Sequence, residues 1–125
     1  MVLDKSLYLI NINYMKDQRQ FIRKSLHTMV SVFDTDNGKF LGVLVDYSDS
    51  GVMISTYQPM KKNASYRFTI VDLPNNIGRK RTGHIEVENV WCDRLNTTLF
   101  GSGYKLIESD DAAIAMFRSY DQNIR

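Results

Sequence analysis

A chain of 125 residues holds one ordinary hydrophobic core. Its 43% hydrophobic and 24% charged residues, two prolines and seven glycines exclude wholesale disorder, collagen-like repeats and low-complexity tracts. Sixteen basic against fourteen acidic residues leave +2, too even for a general polyanion binder, although a local basic cluster can still hold a small anion.

Cys92 is the only cysteine, so no internal disulfide forms and a reducing compartment is the default. With only His27 and His84 beside it, a tetrahedral Cys/His zinc site is excluded, and no metal is expected. Met1–Tyr14 has no clear signal-peptide pattern, and no window approaches the roughly 18 apolar residues of a membrane span. The expectation is a soluble cytoplasmic domain without a membrane span.

Residues 1–16 have mixed composition and read as an extension of uncertain order. Residues 17–24 are polar and basic around Phe21 and Ile22 and read as a lead-in arm. Strand signals follow. Leu26–Asp34 and Lys39–Asp46 are rich in Val, Phe and Leu, and Asp36-Asn37-Gly38 between them is a hairpin turn, because Asn and Gly tolerate positive φ. Val52–Thr56 is a third run, entered through Ser48-Asp49-Ser50-Gly51.

Tyr66–Asp72 is the fourth, with Tyr, Phe, Ile and Asp alternating against Arg, Thr and Val. Leu73–Arg81 reads as a long hairpin loop. His84–Trp91 sets Ile85, Val87 and Asn89 on one face against His84, Glu86, Glu88 and Val90 on the other. Thr97–Leu106 is the sixth run. Six short strands joined by tight turns argue for an antiparallel barrel or sandwich spanning 25–106. A helix over 109–124 follows, with Ser109 as its cap, Asp110 and Asp111 in its first turn, and a stripe of Ala113, Met116, Phe117, Tyr120 and Ile124 that packs on the barrel or offers a groove to a partner.

Two patterns carry chemistry. Arg19-Gln20-Phe21-Ile22-Arg23 sets two guanidinium groups four residues apart, able to grip phosphate oxygens bidentately and to lie flat on purine faces. Alone, such a pair is commonly just a solvated face. The second is Asp46-Tyr47-Ser48-Asp49-Ser50-Gly51. The Asp46 carboxylate can accept two hydrogen bonds from the N–H donors of a guanine edge, and Ser48 adds a hydroxyl. Gly51 permits positive φ and lets a ligand approach the backbone. Alone, these six residues fit an ordinary Asx-type turn.

Together, one hairpin apart, they resemble the signature of the PilZ domain family, Arg-x-x-x-Arg followed by Asp/Asn-x-Ser-x-x-Gly; the matches are Arg19, Arg23, Asp46, Ser48 and Gly51. Trp91, which ends a strand, and Gly101-Ser102-Gly103-Tyr104 agree with later marks of that family, and the resemblance covers roughly 17–123. It implies a six-stranded antiparallel β-barrel with a C-terminal helix that receives the bacterial second messenger cyclic di-GMP. Arg19 and Arg23 would bind phosphate and guanine, Asp46 and Ser48 would read a guanine edge, Gly51 would shape the turn, and Trp91 is a further pocket candidate. The family also implies a downstream protein partner in motility, biofilm or polysaccharide control. Residue types fit one ligand molecule or a stacked pair alike. Gln18 and Gln20 stand where more arginines often sit in the family, which implies lower affinity.

Three other readings compete. Arg79-Lys80-Arg81 and Lys61-Lys62 with strand aromatics suit a small nucleic-acid-binding barrel, against which the near-neutral charge stands. A barrel that signals only through protein contacts is the next. An enzyme is the last, but His27, His84 and Cys92 supply no set of nucleophile, oriented base and oxyanion site, so no catalytic residue and no cofactor besides the ligand is expected.

Overall fold

The computed structural model describes residues 24–25, 28–74 and 78–123. The runs of alternating residues form seven strands: β1 (Lys24–Ser25), β2 (Val30–Asp34), β3 (Phe40–Tyr47), β4 (Gly51–Thr56), β5 (Ser65–Asp72), β6 (Arg81–Arg94) and β7 (Phe100–Ser109). One helix, α1 (Asp111–Asn123), follows them. Every pairing is antiparallel, in the order β3-β2-β5-β6-β7-β4, and β4 pairs back onto β3, so six strands close into a barrel. Closure removes the free sheet edges that an open antiparallel sheet would expose. The two-residue β1 pairs with the end of β3 beyond the reach of β2, with Lys24 opposite Tyr47 and Ser25 opposite Asp46.

Period-2 alternation fills the interior. Val30 and Val32, Ile54, Phe68 and Ile70, and Val87 are fully buried, while Glu86 and Glu88 stand in solvent. Phe68 packs edge-on against Tyr104 at 5.1 Å between ring centroids. The β2–β3 hairpin turns where Asp36-Asn37-Gly38 directs it. Gly38 has φ +74, and Asp34 Oδ1 accepts from the Asp36 amide at 2.8 Å.

α1 lies against the barrel end where β3 and β5 finish and β6 begins. Ala113, Met116 and Tyr120 are buried beneath it, and Phe117 is half-buried, as the apolar stripe requires. Its start differs from the sequence expectation. Ser109 belongs to β7, paired with Ile85, and Asp110 is the cap: its Oδ1 accepts from the Ala113 amide at 2.8 Å. The same carboxylate accepts from the His84 amide at 3.1 Å and faces His84 Nδ1 at 3.0 Å, tying the helix start to β6.

Partial desolvation pushes the Asp110 carboxyl up, but the N–H groups of Ala113 and His84 and the imidazole outweigh it and hold the group below its ordinary value. A carboxyl depressed by folding stabilises the native state above its unfolded pKa and loses that contribution as pH falls through the folded one. Asp110→Ala is therefore expected to cost about 1 kcal/mol at pH 7, the usual worth of an N-cap. In urea titrations, the gap between wild type and variant should shrink as the pH falls below about 4.

Candidate functional site

The β3–β4 corner is built by a bulge followed by a tight turn. Leu44 pairs with Ile54 and Asp46 with the next residue, Met53, so Val45 is the extra residue that bends β3. The bend restores the phase in which Leu44 and Tyr47 face the core and half-buried Asp46 faces out. Ser48 then donates its amide to the Gly51 carbonyl at 2.9 Å, and Leu106 of β7 donates to the Ser50 carbonyl at 2.9 Å. These bonds hold the turn against the neighbouring strand. Ser48 Oγ lies 3.4 Å from the Ser50 amide, within hydrogen-bond reach.

Gly51 is needed here for a reason other than the expected positive φ. Among the described residues, positive φ is confined to Gly38, Gly78 and Asn63. A Cβ at Gly51 would stand 2.5 Å from the Tyr104 carbonyl oxygen, so the glycine serves a close backbone approach between β4 and β7. Lys105 is the cross-strand partner of Gly51 and is exposed. Sequence reasoning passed over this cation beside the turn, and the apolar-polar alternation after Tyr104 was the signal for it.

Asp46, Met53, Gly103 and Trp91 form one cross-strand row over β3, β4, β7 and β6. Three strand spacings put Trp91 roughly 14 Å from Asp46 along the sheet. Trp91 is 4% exposed. Its indole lies over Gly103, where a Cβ would meet Nε1 at 1.9 Å, so the tryptophan packs on a strip of bare backbone. Arg19 and Arg23 lie outside the described residues. Lys24, bonded to Arg23, is opposite Tyr47 in the ladder.

Tyr47, between Asp46 and Ser48, is a residue the sequence reading did not single out. Its buried ring stacks on Phe117 at 5.3 Å and meets Tyr120 edge-on at 5.9 Å. Its hydroxyl donates to Asp121 Oδ1 at 2.5 Å. Burial first, then the Asp121 carboxylate, pushes the phenol far above its ordinary value, so the hydroxyl stays a donor. The far side of α1 is fixed by Asp72, whose side chain is fully buried. Arg81 grips it bidentately at 3.0 and 2.7 Å, Tyr120 donates to it at 2.5 Å, and Arg81 also donates to Ser119 Oγ at 3.1 Å. Arg81 thus leaves the basic loop cluster and becomes the half-buried ion-pair partner of a buried carboxylate. The remaining exposed cations, Arg79 and Lys80, sit at the opposite end of β5 from Lys61 and Lys62, about 25 Å away by strand rise.

The architecture defines a small closed β-barrel carrying one C-terminal helix. The chain is similar in fold to the solved structure of the Bacillus subtilis inhibitor of motility MotI/DgrA, with a TM-score of 0.57 at 9% sequence identity. The match covers 84% of this chain and 50% of that one, so the chain spans about half the length of that structure. No protein-family model matches the chain. No curated protein matches it either.

Proposed function

We propose that the chain is a PilZ-like, non-catalytic cytoplasmic receptor for cyclic di-GMP, with the ligand held between the arginine arm and the β3–β4 corner. The observation that carries the reading is the pairing of β1 with the end of β3. Arg23 precedes Lys24, whose backbone lies opposite Tyr47, which supports a reading in which the arm reaches the corner that carries Asp46, Ser48 and Gly51. Between Met1 and Val30, five basic residues (Lys5, Lys16, Arg19, Arg23, Lys24) outnumber two acidic ones (Asp4, Asp17). The corner itself carries Asp46 and Asp49. A ligand with two phosphates and two guanines offers anions to the first and N–H donors to the second.

The fold likeness to an inhibitor of motility favours a regulatory role over an enzymatic one. Cys92 supports the same reading: burial pushes its thiol up, away from the thiolate a nucleophile needs. No helix among the described residues is long and apolar enough to cross a membrane. The ligand would order the arm over the barrel and change the surface offered to a downstream protein.

Calorimetry with cyclic di-GMP tests the assignment. Wild type is expected to bind, and Asp46→Ala to weaken binding about tenfold or more, the worth of a charge-assisted hydrogen bond. Asp46→Asn should be milder, because the amide keeps one acceptor. No heat with cyclic di-GMP, alongside salt-sensitive binding of single-stranded RNA, would replace this reading with the nucleic-acid one.

A further inference from the structure

The corner and the helix share one side chain. Asp46 and Ser48 flank Tyr47 in the chain, so any shift of the two toward a ligand seated on the corner carries the Tyr47 backbone with it. Its side chain points the other way through the pleat and ends on α1: stacked on Phe117, edge-on to Tyr120, hydrogen-bonded to Asp121. Close-packed interiors are not compliant, so such a shift passes to the helix instead of being absorbed locally. The pivot on the other flank is Tyr120, which joins the Tyr47 ring to the Asp72–Arg81 pair. α1 is therefore held at two points, and the proposed ligand touches only one of them. Facing away from the barrel, Ile114, Ala115 and Arg118 are exposed and would move with it.

We infer that Tyr47 is a positioning residue for the candidate site and couples its occupancy to the seating of the second half of α1. This rests on the ligand reading above. Coupling of this kind is reciprocal: if the ligand steadies the helix, the helix contact must raise ligand affinity by the same factor.

The test uses the full chain, with Tyr47→Phe to keep the ring and remove the bond to Asp121, and Asp121→Asn to weaken the bond from the helix side. Amide hydrogen exchange is followed with and without cyclic di-GMP, and affinity is measured by calorimetry. In wild type, the ligand is expected to slow exchange of amides 117–121. Tyr47→Phe should weaken binding about fivefold, the worth of one net hydrogen bond, and blunt that slowing. Without ligand, either variant should speed exchange at the Ser48 amide and at 117–121 together.

Unchanged affinity and an unchanged helix response in Tyr47→Phe would overturn the inference, even if the variant is less stable, because a merely structural tyrosine gives that result. Acceleration on one side only, without ligand, would overturn it as well. Wild type that binds no cyclic di-GMP would remove the ligand assignment and with it the ligand-driven step. The ligand-free exchange would still decide whether corner and helix move together. Should Tyr47→Phe fail to fold, Asp121→Asn supplies both readouts.

Discussion

Arg81→Met is expected to destabilise the protein by about 3–5 kcal/mol, a large share of the 5–15 kcal/mol that holds a domain of this size together. Two bidentate guanidinium bonds compensate the Asp72 carboxylate, whose side chain has no solvent exposure. Removing the cation leaves a buried charge with the Tyr120 hydroxyl as its neighbour at 2.5 Å, which is why breaking such a pair costs more than the pair itself contributes. In turn, the Asp72 hydrogen bond raises the Arg81 guanidinium further above its ordinary value, so that group stays charged throughout.

The double variant Asp72→Asn/Arg81→Met should be less destabilised than Arg81→Met alone, because it buries no unpaired charge and the amide oxygen can still accept from Tyr120. Urea midpoints of the wild type, both single variants and the double variant measure this as a cycle. Equal stability of wild type and Arg81→Met would mean that the pair does not seat the helix.

The same pair shows what the sequence could disclose and what it could not. Alternation in Tyr66–Asp72 already put Asp72 on the inward face with Phe68 and Ile70, and a buried carboxylate demands a cation. Arg81 nonetheless reads as loop, because nothing local distinguishes it from Arg79 and Lys80. Period 2 also fixed the inward set Ile85, Val87 and Asn89. The ladder slips between Asn89 and Trp91, so Trp91 lies opposite Gly103 while Ser102 and Tyr104 point inward. A bulge changes the phase by one residue and leaves no mark in the pattern.

The helix cap moved by one residue for a related reason. Ser109 and Asp110 can both cap, and only the last rung of β7 decides between them. Of the candidate site, Asp46, Ser48 and Gly51 stand at one corner, as their contiguity required. The contact of Tyr47 with Asp121 spans 74 positions in the chain, and no local spacing reports it.

Replacing both arm arginines is expected to weaken cyclic di-GMP binding by about two orders of magnitude. Each guanidinium on a phosphate or base is worth about 1.5–3 kcal/mol as a charge-assisted contact, roughly tenfold or more apiece. Arg19→Ala/Arg23→Ala removes both, and a urea titration of the double variant separates lost affinity from lost stability. The two arginines serve one ligand, so their effects need not add, and the single variants measure the shortfall. Salt supplies an independent check. Screening weakens partly exposed charge contacts, so wild-type affinity should fall between about 0.05 and about 0.5 M salt, over which the Debye length contracts about threefold. The double variant should respond much less. A double variant that binds as tightly as wild type, with the same salt dependence, would take the arm out of the site and leave Asp46 and Ser48 as turn residues.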